Sequence, residues 1–376
     1  MKAKIARFAI EKALHGLEGV FKNTSEHNLP ILQRILIKTS DKTITLTATD
    51  LYVTLEMTIG ADVMQEGTVL PLGKKLIKVI DALKDSENIG MESAADKVVI
   101  TGDGNASYKL YDTAPDDYPD VKLPDSIGFT EVKREDLLSI IQSTAYAADS
   151  KSHVPAYTGI CLAGLKDELR GVATNGYKLA ITRSAIEGKL DIPDQGIIIP
   201  TNGAKEIVRL LKRHDDSETV DVGFNLDTMI VRSIGSPEDT VLTIKLVDAV
   251  FPDYKKAIPN GGSISFVAEK TKLLRSLRRM KVVAKEDTTG HCRVSLTGSG
   301  NRMTLETEND GGYVCEEIDM KDRIEDPFQV SVNANYLLDA VKTISADDIC
   351  ISYKEGQMLS VNGDGKSLNI VAVLRN

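Results

Sequence analysis
The 376-residue chain contains no Trp, and aromatic residues make up only 5 % of it. Its cores must therefore rest on aliphatic side chains, and a 42 % hydrophobic content supplies them. No run of eighteen apolar residues occurs, so no membrane-spanning helix is expected. The opening stretch MKAKIARFAIEKALHGLEGVFK carries acids. It lacks the apolar segment and small-residue cleavage site of a secretory leader. Cysteine is scarce: Cys161, Cys292, Cys315 and Cys350 lie far apart in apolar surroundings. This predicts buried free thiols in a reducing cytoplasm. The histidines His15, His27, His153, His214 and His291 form no HExxH and no Cys/His zinc spacing. No carboxylate pair is marked out as acid and base. No catalytic residue, metal or cofactor is predicted. The GDGKS stretch at Gly363 resembles the end of a phosphate loop, but position 360 is Ser where a Walker A sequence needs Gly. Lying between two strand patterns, it reads as a hairpin turn.

What the chain does contain is a repeat. LTATDLYVTLEM at Leu46 is rewritten as GVATNGYKLAI at Gly171, and more faintly as LETENDGGYVCEE at Leu305. VLPLGKKLIKVIDAL at Val69 returns as IIPTNGAKEIVRLL at Ile198 and VSVNANYLLDAV at Val330. DYPDVKLP at Asp117 and FPDYKKAIP at Phe251 each close a unit. The boundaries are therefore 1–125, 126–259 and 260–376. Each repeat holds two strand–helix units followed by alternating strands. The fold class is α+β: three tandem similar domains, each with two helices and two short antiparallel sheets. Set in line, such domains leave two sheet edges exposed, a hazard that pairing with a second copy of the chain removes by closing a ring.

The net charge of −9 argues at first against a nucleic-acid partner. Its distribution reverses that inference. The six expected helices, at 3–22, 73–84, 133–148, 203–213, 267–285 and 333–346, together carry +14, which leaves −23 for the remainder. Basic helices around a common centre inside an acidic exterior would attract a polyanion within the ring. A domain of this size has a radius of about 18 Å, so six in a ring leave a hole about 36 Å wide. Duplex DNA, about 20 Å across, passes through it. The basic residues expected to face DNA are Lys12, Lys78, Arg209, Lys212, Arg275, Arg278 and Arg279.

NLPILQRILIKTSDKTITLTATDLYVTLEM, GVATNGYKLAI and LVDAVFPDYKKAIP resemble the bacterial DNA polymerase III beta subunit family, the replication sliding clamps, along the whole chain. The resemblance implies a homodimeric six-domain ring, with helices inside and sheets outside. Such a ring encircles duplex DNA without reading sequence and tethers the polymerase as a processivity factor. It implies a cytoplasmic, nucleoid-associated protein whose partners are a polymerase, a clamp loader and other proteins carrying clamp-binding peptides. It also implies a peptide cleft built from Tyr157, Thr174, Gly176, Tyr177, Lys178 and Leu179, from Pro252, Lys256 and Ala257, from Met358, and from Val371, Ala372, Val373, Leu374 and Arg375. Dimer contacts carry over to Lys74, Tyr108, Leu110, Val282 and Val283, with Glu306 and Glu308 adding charge. The chain departs from the family in three places. The usual Asp-Gly-His-Arg-Leu is here Asn175-Gly176-Tyr177-Lys178-Leu179, and the usual Met-Pro-Met-Arg-Leu tail is Ala372-Val373-Leu374-Arg375-Asn376. NTSEHN, at 23–28, replaces a segment that in many relatives holds a DNA-contacting Arg. Two readings from other classes stay open: a nucleotide-dependent enzyme using GDGKS, and a monomeric repeat scaffold that binds only proteins.

Overall fold
A computed structural model describes residues 1–22, 29–104, 106–119, 127–165, 168–186, 192–193, 195–235, 238–259, 264–284 and 292–374. The segment 23–28, Arg375 and the expected boundaries near 125 and 260 lie outside the described residues.

Among the described residues, six α-helices occur where the sequence places them: α1 (Arg7–Phe21), α2 (Gly73–Ala82), α3 (Arg134–Thr144), α4 (Thr201–Arg213), α5 (Lys270–Val283) and α6 (Ala334–Thr343). Each forms because its apolar residues recur every three or four positions and bury one stripe. In α1 the stripe is Ile10, Ala13, Leu14, Leu17, Val20 and Phe21. In α5 it is Leu273, Ser276, Leu277 and Met280. The other face of α5 leaves Arg275, Arg278 and Arg279 in solvent.

The strands join across the expected repeat boundaries into long antiparallel sheets. The chain divides into two compact units that cut through the second repeat. Unit 1 comprises 1–138 and 202–246. It holds a five-stranded sheet ending in the strand Ser107–Tyr111, and an eight-stranded sheet. In the latter, Val53–Gly60 of the first repeat pairs with Glu238–Lys245 of the second, so that Leu55 faces Leu242. Unit 2 comprises 139–201 and 247–376. Its ten-stranded sheet pairs Lys178–Ala185 with Ser367–Val371 and ends in Arg293–Asn309. Period-two alternation identifies a strand without naming its neighbour. Joining satisfies backbone groups that the separate short sheets would have left at free edges.

The repeated phrase encodes one turn. In TATDLY the Asp50 carboxylate accepts from the Tyr52 and Val53 amides at 2.9 and 2.6 Å, and the Thr49 hydroxyl accepts from the Leu51 amide at 3.0 Å. In VATNGY the Asn175 side chain accepts from the Tyr177 and Lys178 amides at 3.0 Å each, and Thr174 from Gly176 at 3.1 Å. The third turn residue is left-handed in both, with φ 88° at Gly176 and 74° at Leu51. GDGKS forms the same kind of turn: Asp364 accepts from the Lys366 and Ser367 amides, and Gly365 has φ 71°. A left-handed non-glycine residue costs about 1 kcal/mol or more. Gly176→Ala should therefore destabilise unit 2 by about 1 kcal/mol, although its new Cβ meets only Tyr157 at 3.6 Å. Leu51→Gly should leave unit 1 as stable as before or slightly more stable. Urea unfolding of both variants checks the pair, and equal losses in the two would refute the account.

None of the four cysteines is in a disulfide, and only Cys161 and Cys292 are buried. Burial pushes the Cys161 thiol up to about 12. Cys315 is exposed and Cys350 half-buried, a correction to the expectation of four buried thiols. Cys315 lies on the solvent side of an alternating strand, where an apolar flank does not ensure cover.

Candidate functional site
In unit 2 the ten-stranded sheet presents two faces. One packs against helices: Val371 joins the core of Leu273, Leu277, Leu337 and Val341 from α5 and α6. On the other, a second cluster forms from Ala156, Val172, Leu179, Ile181, Ile198 and Ile370. Tyr157, Ala257 and Met358 pack against this second cluster, half-buried. The structure therefore brings Tyr157, Leu179, Ala257 and Met358 together from four separate stretches. Thr174 and Gly176 flank them, with Tyr157 beside Gly176 and the Thr174 hydroxyl donating to the Lys178 carbonyl at 2.7 Å. Tyr177 is 60 % exposed at the rim. Pro252 and Lys256 are also exposed, with Lys256 paired to Asp253 at 3.5 Å.

The tail runs beside this turn. The Ala372 amide donates to the Tyr177 carbonyl at 2.8 Å, Val373 bridges to Val332, and the Leu374 amide donates to the Ser331 carbonyl at 2.7 Å. Two expected cleft residues point the other way, because strand residues alternate between faces. Val371 lies in the helix-side core. Lys178 places its ammonium 5.1 Å from the ring centres of both Tyr146 and Tyr336 and 4.0 Å from Asp339. Burial holds the Lys178 ammonium below the usual lysine range, with the Asp339 and Asp149 carboxylates opposing the shift. It braces the sheet from behind rather than reaching the apolar face. Residues the sequence reading missed include Ile181, Ile370 and Tyr254. Alternation in KLAITRS, which puts Leu179, Ile181 and Arg183 on one face, is the signal that could have found the first.

The basic helix residues divide into two groups. Lys78, Lys212, Arg275 and Arg278 are exposed. The others are engaged to different degrees. Lys12 pairs at 3.2 Å with the buried Glu238, which also lies 3.5 Å from Arg213. Arg209 pairs with the buried Glu206, and the half-exposed Arg279 pairs with Glu316 at 3.1 Å. Two glycines inside α1 let the Arg209 and Arg213 guanidinium groups lie close against the helix. A Cβ on Gly16 would stand 2.6 Å from the Arg213 guanidinium, and one on Gly19 would stand 1.7 Å from Arg209.

Of the residues expected at a dimer contact, Lys74 is exposed on α2, and Tyr108 and Leu110 lie on the strand that ends the five-stranded sheet. Val282 is 78 % exposed at the end of α5, next to the half-buried Val283. Glu306 and Glu308 lie on the strand that ends the ten-stranded sheet, where Glu306 accepts from the Tyr313 hydroxyl at 3.0 Å. Among the described residues, Glu11, His15 and Asp81 form one surface group with metal-ligand spacing. There His15 approaches Asp81 to 3.3 Å, as an ordinary surface pair. No described helix is long and apolar enough to cross a membrane.

Three consecutive family descriptions match the chain: DNA polymerase III beta subunit N-terminal domain over residues 1–123, central domain over 131–253 and C-terminal domain over 255–370. The beta sliding clamp of Buchnera aphidicola is 26 % identical over 94 % of this chain and 93 % of its own length. The Haemophilus influenzae beta sliding clamp is 24 % identical over 99 % and 98 %. Among solved structures, the DNA polymerase III subunit beta of Pseudomonas aeruginosa superimposes with a TM-score of 0.90 at 23 % identity, covering 100 % of both chains. The Caulobacter crescentus polymerase III beta superimposes at 0.88 with 25 % identity, again over 100 % of both.

Proposed function
The chain belongs to the DNA polymerase III beta subunit family, and from that membership we propose that it is a DNA sliding clamp, a processivity factor with no catalytic site of its own. The observation that carries this reading is the match of all three domains of one family, in order, along the chain. In the proposed assembly two copies close head to tail into a ring of six similar domains, bounded near 125/126 and 259/260. The duplex passes through without being read, because contacts to phosphates carry no sequence information. The exposed Lys78, Lys212, Arg275 and Arg278 suit that task, and Arg279 can add to it when it leaves Glu316. Lys12 and Arg209, tied to buried carboxylates, contribute less. The protein acts in the cytoplasm, at the nucleoid.

The apolar face around Leu179, Tyr157 and Ile370 is the proposed dock for short peptides of the polymerase, the clamp loader and other DNA-processing partners. A short peptide loses much conformational entropy on docking, so its affinity should be on the order of micromolar. Two docks per dimer allow avidity.

Topology provides the test. Protein loaded on circular duplex DNA should remain through gel filtration at moderate salt, then leave when one restriction cut linearises the circle. Affinity for short linear duplexes should be weak and fall steeply with salt. Equal retention on cut and intact circles would show ordinary binding and overturn the clamp reading.

A further inference from the structure
We propose that the docking face continues into a basic recess that takes acidic side chains flanking a partner's apolar docking peptide; this rests on the docking reading above. On the face of the ten-stranded sheet away from α5 and α6 lies a cavity of about 430 Å³, lined by Arg170, Arg183, Lys255 and Lys366 together with Tyr254 and Ile258. Three adjacent strands carry the same gradient along that face. Thr174 and Val172 lead to Arg170, Leu179 and Ile181 lead to Arg183, and Ile370 and Leu368 lead to Lys366. The register aligns the cationic ends: Arg170 faces Arg183, whose amide donates to the Lys366 carbonyl at 3.1 Å. Ile181, Leu368, Tyr254 and Ile258 belong to the apolar cluster beneath the dock, so recess and dock share one floor. From Leu179 to Arg183 is four residues of strand, about 13 Å. An extended peptide with an apolar anchor over Leu179 would therefore bring side chains about four residues away over the cations.

The charge is unbalanced in favour of an anion. Glu168 binds Arg170 through Nε and Nη2 at 2.9 and 2.6 Å, and the Tyr254 hydroxyl holds its Nη1 at 3.3 Å, so that guanidinium is fixed in place. Among the described residues, Arg183, Lys255 and Lys366 have no carboxylate partner, and all three are exposed. The recess thus presents four cations against one carboxylate. An acidic peptide fits it better than the duplex does. The arginines offered to DNA project from α5, and α5 and α6 pack in the core on the opposite side of the sheet.

The experiment uses the full chain and fluorescence anisotropy. A labelled Leu-Ser-Leu-Ser-Leu peptide, whose leucines fall on one face of an extended chain, is extended at either end by four residues, either Ser-Gly-Ser-Gly or Asp-Glu-Asp-Glu. At one end the acidic extension should tighten binding about ten-fold at 50 mM salt, with most of the gain lost at 500 mM. In Arg183→Ala/Lys366→Ala the gain should disappear, while the neutral peptide keeps its affinity. Equal binding of acidic and neutral peptides at both ends, or a gain that survives in the variant, would overturn the recess and leave the dock standing. Failure of every peptide to bind would remove the dock and the recess with it. If the variant instead shortens residence on intact circular DNA and keeps the peptide gain, the cations serve the duplex and the proposal is wrong.

Discussion

Glu238→Ala should lower the stability of unit 1 by about 3–5 kcal/mol, the loss typical when one partner of a buried ion pair is removed. The Glu238 side chain is only 2 % exposed, and it receives Lys12 from α1 at 3.2 Å and Arg213 from α4 at 3.5 Å. Arg213 also donates to the Lys12 carbonyl at 2.7 Å, so one carboxylate anchors two helices of different repeats. Without it, two cations stay partly buried and unpaired. Burial already pulls the Arg213 guanidinium below its ordinary range, with the Glu238 carboxylate opposing the shift. His214 completes the group, its Nε2 2.9 Å from the Thr240 hydroxyl. Burial holds the His214 imidazole below the usual histidine range, against the pull of Glu238.

The folded state therefore resists a proton that the unfolded state accepts below about pH 6.5. Stability from His214 is complete above that pH and is lost as pH falls through it toward the lowered folded value. In Glu238→Ala the opposing carboxylate is gone, so this decline should become steeper. Urea unfolding at pH 8 and pH 5.5 measures both effects. Glu92→Ala, which breaks an exposed pair with Lys2 at 3.0 Å, should cost less than about 1 kcal/mol and serves as control. Similar losses in the two variants would show that Glu238 is not the anchor.

This cluster also marks where the sequence stopped being legible. Helix positions, the three-fold repeat and the shared turn follow from periodicity and from local side-chain-to-backbone bonds, all of which lie within a few residues. The fate of a charge does not. Counting gave Lys12 and Arg275 equal weight, yet Lys12 meets a carboxylate 226 positions away while Arg275 meets solvent. The same limit hid the joining of sheets across repeats, since a strand's alternation does not name its partner. It also put Lys178 and Val371 among the expected cleft residues. Both belong to the same local phrase as their neighbours, but the pleat turns them to the back of the sheet. Adjacent residues in a strand face opposite ways, and a motif copied as a block carries both faces with it.

Val282→Asp should convert the proposed dimer to monomer and abolish retention on circular DNA, with little change in the folding of the chain. Val282 is 78 % exposed, so a carboxylate there displaces no packing within the chain. Its position in the last turn of α5 adds about 0.5 kcal/mol of unfavourable interaction with the helix dipole. Across a closed interface the same carboxylate would be desolvated without a partner, beside Val283 and near the acidic strand bearing Glu306 and Glu308. That costs about 2–5 kcal/mol, a factor of about 30 to several thousand in dissociation constant. Head-to-tail closure repeats the contact by symmetry, so one substitution acts twice in the ring. The strands proposed to meet there are Ser107–Tyr111 of one copy and Arg293–Asn309 of the other. Each ends its sheet, and the first carries Tyr111 at 71 % exposure. Val282→Ala, which removes apolar area without adding charge, should weaken the dimer only modestly. Light scattering at about micromolar concentration separates the outcomes, and the neutral docking peptide should still bind the monomer, because its site lies wholly within unit 2. A Val282→Asp protein that stays dimeric would move the interface elsewhere. One that becomes monomeric yet persists on circular DNA would refute the claim that retention depends on a closed ring.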